Sequence, residues 1–321
     1  NNYAYIDAIK TYERIAEKGY KSVEMFQKLG NAYYFNAELY KAARWYEELF
    51  NMSNDQDAEY YYRYSQCLKS VGQYDKADKM MSEFNKKSGN DARAQLFEKN
   101  KNYLEDIKAN SGRYTIEDAG INSEFSDYGS SFSKNILVFA SSRDTGGVSK
   151  KVFKWTNQSF TNLYESAEDS EGKLGKTQRF QSSINSKFHE STPVFTKDGT
   201  TMYFTRNNYL EGKKGKDSNR VTLLKIYKAT KKDGKWEDVV TLPFNSDQYS
   251  VAHPALSADE QTLYFASDMP GSLGQSDLFK TNISKDGSYS TPVNLGPSIN
   301  TPGRETFPFI SEDNELYYAT D

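Results

Sequence analysis

The sequence contains very little cysteine, histidine and proline. Its 321 residues include one cysteine, two histidines and eight prolines. A single cysteine cannot form an intramolecular disulfide, so Cys67 gives no information about the redox compartment. No stretch reaches the roughly 20 apolar residues of a membrane span, and no signal peptide is recognisable. The net charge of −3 excludes the strong basic charge that is typical of nucleic-acid-binding proteins.

Aromatic residues are abundant instead, at 15% of the chain. Up to about residue 110, apolar residues recur at helical spacing, and the segments that start at residues 26 and 61 align with each other. Ala8, Ala42 and Ala77 are 34 and 35 residues apart, which is the period of paired antiparallel helices that cross closely at a small residue. The repeated positions are Phe26, Leu29, Gly30, Tyr33, Ala42, Tyr46 and Leu49, then Tyr61, Tyr64, Ser65, Leu68, Ala77, Met81 and Phe84.

These positions resemble the tetratricopeptide pattern, which implies a helical array over residues 1–110. We expect Asp91 to cap its last helix, and Cys67, beside an apolar repeat position, to be a buried structural thiol. Stacked helix pairs leave a concave surface, where Tyr33 and Tyr34 are candidate anchors for a protein partner. The alternative is that both tyrosines only pack within the array.

After residue 112 the pattern changes from helical to alternating, and one phrase occurs four times. Its versions are "ILVFASS" (136–142), "TMYFTRN" (201–207), "TLYFASD" (262–268) and "ELYYATD" (315–321). Each follows a turn and a short apolar strand. Upstream of each lies an anchor pair, and the pairs are 63, 60 and 55 residues apart: Ile121-Asn122, Ile184-Asn185, Phe244-Asn245 and Ile299-Asn300. Repeated units of four short antiparallel strands are the sequence form of propeller blades.

The two outer strands of each unit are predicted from the text that follows this phrase. The predicted third strands are "KVFKW" (151–155), "LLKIYKA" (223–229) and "SDLFKTN" (276–282). The predicted fourth strands are "SFTNLYE" (159–165), "KWEDVVTLP" (235–243) and "SYSTPVNLG" (288–296).

Residues 113–321 resemble the WD40-like, TolB-type propeller repeat, most clearly from Phe244 to Phe279. The predicted fold class is therefore multidomain, with a tetratricopeptide array followed by a partial β-propeller. Because the chain ends within the fourth unit, we expect the propeller to be incomplete at its C-terminus. The segment Tyr114–Ala119 is expected to supply the outer strand of the last blade, since a ring with open edges is disfavoured.

The order of the two parts resembles periplasmic proteins of Bacteroidota that continue into an OmpA-like, peptidoglycan-binding domain and are associated with type IX secretion and gliding. The resemblance implies a periplasmic scaffold at the outer membrane, with an outer-membrane β-barrel or a secretion or motility component as partner. Peptidoglycan would be bound only through a domain that this chain does not contain. No cofactor, metal or nucleic acid is expected.

Neither half shows a nucleophile, base and orienting group at recognisable spacing, so we predict that the chain is not an enzyme. The alternative is a carbohydrate-binding or glycoside-hydrolysing propeller. A propeller that gates a peptidase would need a catalytic domain that is not in this sequence.

Three acidic residues, Asp127, Glu190 and Glu305, share the position three residues before the predicted first strand. We expect them to ring one mouth of the central channel. Carboxylates there could bind a cation or a sugar, as in propeller glycosidases. The competing interpretation is structural, with each acid accepting backbone N–H bonds in its blade turn.

The segment "SEGKLGKT" (170–177) approaches a phosphate-binding loop but has serine at the first glycine position. That motif needs a buried strand before it and a helix after it, so we interpret the segment as a loop between the fourth strand of the first blade and Ile184. His189 and His253 lack further ligands at metal spacing, which favours structural roles.

A basic loop, "YLEGKKGKDSN" (209–219), interrupts the second blade between its second and third strands. Loops that lengthen on one blade alone are places where propellers carry specific contacts. Lys213, Lys214 and Lys216 are therefore candidate partner-binding residues, and a solvated insertion is the alternative.

Overall fold

The computed structural model describes residues 5–143 and 152–320 of the chain. These residues form two compact units, one of residues 5–117 with 152–157 and the other of residues 118–143 with 158–320. The first unit is helical and the second consists of antiparallel sheets. This is the predicted order of a helical array followed by a β-propeller.

The first unit contains seven described helices, of which α1 to α6 contact their neighbours in succession. Their bounds are α1 Tyr5–Glu17, α2 Val23–Phe35, α3 Leu39–Met52, α4 Ala58–Ser70, α5 Tyr74–Ser88, α6 Ala92–Lys99 and α7 Tyr103–Ala109. Helix α2 begins after Ser22, whose hydroxyl accepts a hydrogen bond from Met25 N at 3.2 Å. Asp91 likewise caps α6 by accepting from Arg93 N at 2.9 Å, as expected for N-cap residues. The last helix that was expected to run from this cap to about Lys108 is instead two helices, because α6 ends at Lys99 and α7 begins at Tyr103.

The repeat positions form the core of the helical unit. All fourteen positions named above are buried. Gly30 lies against the ring of Tyr46, and a Cβ at position 30 would come 2.6 Å from Tyr46 Cδ1. The close crossing of α2 and α3 therefore depends on glycine at this position. Cys67 is buried as predicted, and burial raises the pKa of its thiol to about 12.

The described strands are short, and all of them except β3 lie in the second unit. Their bounds are β1 Asp127–Ser133, β2 Ile136–Ser141, β3 Val152–Phe153, β4 Gln158–Ser159, β5 Asn162–Ala167, β6 Gln178–Arg179, β7 Glu190–Phe195, β8 Thr201–Asn207, β9 Tyr209–Leu210, β10 Lys213–Lys214, β11 Leu224–Lys232, β12 Lys235–Thr241, β13 Val251–Leu256, β14 Thr262–Ser267, β15 Asp277–Asn282, β16 Val293–Asn294, β17 Glu305–Ile310 and β18 Leu316–Thr320.

Three four-stranded antiparallel sheets form successive blades, in the orders β1-β2-β5-β6, β7-β8-β11-β12 and β13-β14-β15-β16. β17 and β18 form a further hairpin that continues the series. The phrase that occurs four times forms the second strand each time, as predicted. The innermost strands β1, β7, β13 and β17 contact each other in succession.

The first blade differs from its prediction. "KVFKW" does not supply the third strand, because β3 lies outside the four-stranded sheet of the first blade and belongs to the first unit. "SFTNLYE" was expected to be the fourth strand, but most of it lies in the third strand, β5, which pairs with β2 from Ile136↔Ala167 to Ser141↔Asn162. The segment 170–177 therefore lies between β5 and β6, inside the blade rather than after it. It is followed by a strand and not by the helix that a phosphate-binding loop requires.

Each innermost strand contains the same irregularity. The register with its neighbour shifts between Tyr128 and Ser131 in the first blade, and at the equivalent places in the other three. The residue at each shift has a left-handed backbone, with φ of 61° at Gly129, 44° at Thr192, 57° at His253 and 51° at Phe307. In the last three a proline follows. Proline lacks the N–H that a paired strand needs, which suits an unpaired bulge.

The anchor asparagines explain the repeated Ile-Asn and Phe-Asn pairs. Asn185 accepts a hydrogen bond from Leu163 N at 2.8 Å and donates to Leu163 O at 3.0 Å. Asn245 holds Ile226 in the same way, at 3.1 and 2.7 Å. Asn300 holds Leu278 at 2.8 and 3.1 Å. Each side-chain amide thus pairs with the third strand of the preceding blade as a neighbouring backbone would.

Residues 114–119 form no strand, and Tyr114 and Ile116 are 73% and 93% exposed. That this segment pairs with a last blade stays a prediction. No helix in the described part of the chain has the length and apolar character needed to cross a membrane.

Candidate functional site

The three acidic residues singled out from the sequence are the first residues of β1, β7 and β17, not residues that precede those strands. Asp127 accepts hydrogen bonds from Ser123 N at 2.6 Å and Ser123 Oγ at 2.7 Å, and pairs with Arg143 at 2.8 Å. Burial acts to raise the pKa of Asp127, but hydrogen bonds from Ser141, Arg143 and Ser123 outweigh it and lower the pKa.

Glu190 and Glu305 are fully buried. Like Asp127, each of them accepts hydrogen bonds from protein groups through its carboxylate. Glu190 pairs with Arg206 Nε at 3.0 Å and accepts from Asn162 Nδ2 at 3.1 Å. Burial raises the pKa of Glu190 to about 7, although Arg206 acts to lower it. Glu305 accepts from Thr301 N at 2.9 Å, from Thr301 Oγ1 at 2.6 Å and from Thr320 Oγ1 at 2.7 Å.

These bonds engage the carboxylates of all three acids within the sheet framework. A glycosidase needs an acid and a second carboxylate that face a shared sugar, and these carboxylates face their own turns and neighbouring strands. That they ring a channel mouth stays a prediction.

The two histidines lie among protein groups. His189 Nδ1 is 3.1 Å from Thr161 N. His253 Nδ1 is 3.4 Å from Thr192 Oγ1, and its ring stacks on Phe307. Burial lowers the pKa of each imidazole to about 4. Within residues 5–143 and 152–320, no cluster of three potential ligands could hold a metal ion.

The basic loop of the second blade is a folded hairpin. β9 pairs with β10 through Leu210↔Lys213 and Tyr209↔Lys214. Its base is held by hydrogen bonds from Gly215 N to Asn208 O at 3.0 Å and from Tyr209 N to the hydroxyl of Tyr227 at 3.2 Å. Because the backbone is held at both points, the lysine side chains are presented from a defined position.

This hairpin forms a basic and aromatic surface with the segment that leads into β7. The rings of Phe188 and Tyr209 meet edge to face, with centroids 5.0 Å apart. Lys214 Nζ lies 4.8 Å from the centroid of Phe188, and Lys187 Nζ lies 5.0 Å from that of Tyr209. We call Lys187, Lys213, Lys214 and Lys216 the lysine cluster; all four are exposed.

The lysine cluster has no acidic partner in the described ranges. The salt bridges there join other residues, such as Lys225 with Asp247 at 2.6 Å and Lys232 with Asp238 at 2.5 Å. Exposed ammonium groups can bind an anionic group through charge, and the aromatic rings beside them offer apolar contacts to the same partner.

A groove of about 980 Å³ adjoins the lysine cluster. It is bordered by the segment before β7, by the start of the β9–β10 hairpin and by one stretch of β12. Its lining residues are Ser183, Asn185, Ser186, Lys187, Arg206, Tyr209, Leu210, Glu211, Asp238, Val239 and Val240.

The tyrosines proposed as anchors on the helical unit lie deeper than expected. Tyr33 is only 4% exposed and its hydroxyl donates to Glu13, so it packs in the core and offers no contact surface. This corrects its assignment as an anchor. Tyr34 is half-buried against the same core, and burial raises its pKa to about 12.

Sequence reasoning identified the three lysines of the loop but missed Lys187, Phe188 and the groove. A signal was present, since Lys187 and Phe188 place a cation and an aromatic ring in an otherwise polar connection. The fold of the second blade brings Lys187 and Phe188 next to Tyr209 and Lys214, and no local sequence pattern shows this.

No protein-family model matches this chain, and no curated protein matches it. Among solved structures, part of the chain is similar to a thermostable family-43 glycoside hydrolase, at 12% identity and a TM-score of 0.40, over 62% of this chain and 67% of that one. It is also similar to a putative TolB from Agrobacterium tumefaciens, at 14% identity and a TM-score of 0.36, over 58% and 50%.

A third similar structure is a puromycin-hydrolysing peptidase of Mycobacterium tuberculosis, at 13% identity and a TM-score of 0.37. This similarity covers 61% of the present chain but only 27% of the peptidase. The prediction that the chain is not an enzyme is corrected on this point, because hydrolases stand among the structures similar to it. The similarities assign no activity to any residue of this chain.

Proposed function

We propose that this chain is an interaction module that binds an acidic surface of a protein partner through the lysine cluster of its second blade. The observation that carries the proposal is the set of four exposed lysines, three on a hairpin held by hydrogen bonds and Lys187 beside it, with no carboxylate partner in the described chain. Exposed lysines that meet a carboxylate only when a partner binds favour association with an acidic partner, and they also contribute to the specificity of that association.

The finer assignment is a periplasmic scaffold whose partner is an outer-membrane β-barrel or a component of a secretion or motility complex. It is supported by the resemblance of the repeats and by the pairing of a helical array with a propeller, both of which serve as binding platforms. The helical unit would offer a second contact surface, around Tyr34 rather than Tyr33.

The test uses charge reversal at three lysines, Lys213→Glu, Lys214→Glu and Lys216→Glu, in one variant. The control variant reverses three exposed lysines elsewhere: Lys176, Lys280 and Lys285. Both are used to capture proteins from a solubilised outer-membrane fraction of the source organism, at about 0.05 M and about 0.5 M salt.

We expect wild type and control to retain the same partner at low salt and to lose most of it at high salt, since exposed charges are screened. The cluster variant should retain none at either salt concentration. Equal capture by all three proteins would refute the lysine cluster as the contact surface.

A further inference from the structure

At the outer edge of the second blade, a side-chain amide forms hydrogen bonds with the backbone as a neighbouring strand would. β12 is the outermost strand of its sheet and pairs with β11. At one end of its free edge, Gln181 accepts a hydrogen bond from Trp236 N at 2.8 Å and donates to Gly234 O at 3.1 Å. A side-chain amide thus takes the place that the backbone of another strand would occupy.

Further along the same strand the groove begins at Asp238, whose carboxylate pairs with Lys232 of β11. Asp238, Val239 and Val240 of β12 line it. The strand is irregular there, because its register with β11 shifts between Lys228 and Thr230 and Asp238 has a φ of 50°. A bulge of this kind is common where a strand edge borders a functional site.

The size of the groove suits an extended peptide. A strand residue occupies about 160 Å³, from a rise of about 3.3 Å, a strand spacing of about 4.8 Å and a sheet spacing of about 10 Å. The groove volume of about 980 Å³ therefore leaves room for a short segment in extended conformation.

The residues that line the groove also suit an extended peptide. Leu210, Val239 and the 48% exposed Val240 offer apolar contacts. The charged groups of the lining have both signs: Glu211 and Asp238 are carboxylates, and Lys187 and Arg206 are cations. Asp238 pairs with Lys232 and Arg206 pairs with Glu190, so Lys187, at the side of the lysine cluster, is the cation of the lining that can meet an acidic residue. Side chains of an extended peptide alternate between two directions, so apolar residues could face the groove while acidic residues face the lysines.

We propose that the groove binds an extended acidic segment of the partner protein as an added strand along the edge of β12. The main-chain hydrogen bonds would supply affinity, and the apolar residues of the lining together with the adjacent lysine cluster would select the sequence. This inference rests on the proposed function and specifies the conformation and charge of the partner segment.

The test uses a fluorescein-labelled peptide of three Glu-Val repeats, followed by fluorescence anisotropy on the whole chain. Two matched peptides are compared with it: one N-methylated at each valine, which cannot donate those backbone hydrogen bonds, and one with lysine in place of glutamate. Hydrogen exchange of residues 237–241 is measured with and without the first peptide.

We expect the unmodified peptide to bind, the N-methylated peptide to bind at least tenfold more weakly, and the lysine peptide not to bind. Exchange at 237–241 should slow in the complex. Val240→Asp should weaken binding at least tenfold, whereas Val293→Asp, at an equally exposed position on the outermost strand of the third blade, should not.

Two outcomes would overturn the inference in different ways. If the N-methylated peptide binds as well as the unmodified one and binding is lost only in the triple lysine variant, the charge contact stands and the added strand is wrong. If no acidic peptide binds, the strand is also wrong, and capture from the membrane fraction decides separately on the proposed function.

Discussion

The imidazole ring of His253 stacks on the ring of Phe307, with centroids 3.8 Å apart and an interplanar angle of 29°. The two residues occupy equivalent positions in neighbouring innermost strands, and both have left-handed backbones. Thr192, the equivalent residue of the second blade, faces His253, and Gly129 of the first blade lies against Thr192. A chain of contacts between strained positions therefore connects all four innermost strands.

We expect the buried His253 to make stability depend on pH. Its pKa is lowered from 6.5 to about 4 by burial, so its contribution is complete above about pH 6.5 and is lost as the pH falls toward 4. The loss can reach about 3 kcal/mol for such a shift. Glu190, whose pKa is raised to about 7, acts in the opposite direction, since its contribution is lost as the pH rises.

The measurement is urea unfolding of wild type and of His253→Asn between pH 4 and 7.5. Asparagine tolerates a left-handed backbone, so the substitution isolates the ionisation. The variant should lose less stability on acidification than wild type. His189→Asn serves as a comparison, because burial lowers its pKa to the same value. Parallel pH profiles for wild type and His253→Asn would contradict the assignment.

Gly129→Ala should destabilise the chain by about 2–4 kcal/mol, from backbone strain and overlap together. Position 129 has a φ of 61°, and a Cβ there would lie 2.7 Å from Thr192 Cγ2 and 3.2 Å from Thr192 N. Gly287→Ala is the matched control, since its φ of 81° is also left-handed but no atom lies within 4 Å of the added Cβ. The difference between the two changes in unfolding free energy measures the contact between the first two blades.

Asn245→Ala should cost about 1–3 kcal/mol, because it leaves the N–H and C=O of Ile226 without their side-chain partner. The exposed Asn282→Ala should change the free energy of unfolding by less than about 0.5 kcal/mol. Thermal and urea unfolding of both variants check the expectation. An effect of Asn245→Ala as small as that of the control would show that the anchor is dispensable.

Glu305→Ala should destabilise by about 1–3 kcal/mol, since it removes the acceptor for Thr301 N and for two hydroxyl groups in a buried turn. Glu305→Gln keeps an acceptor oxygen and should cost less. Glu312→Ala, at an exposed position in the turn that follows β17, is the control. Unfolding free energies that rank these three in any other order would contradict the structural role of Glu305.

The first blade shows which features of the fold a local sequence pattern can predict and which it cannot. Alternation and turn residues identified every second strand, from "ILVFASS" to "ELYYATD", because strand propensity and burial of one face are local properties of the chain. The same reasoning placed "KVFKW" in the blade, although β3 lies outside the sheet of that blade. Which strands pair is a question of contacts distant in sequence, and a short aromatic segment satisfies the strand pattern in either place.

The sequence by itself determined the helical array, the repeated units and the asparagine and acidic residues at fixed places in them, because spacing and side-chain chemistry are properties of the chain. Only the tertiary structure decided what those residues do. Asn185 bonds to Leu163 of the preceding blade, Glu190 pairs with Arg206, and Lys187 joins the hairpin that carries Lys214. Each of these relations depends on backbone positions that meet only when the sheets pack, so no local pattern could specify them.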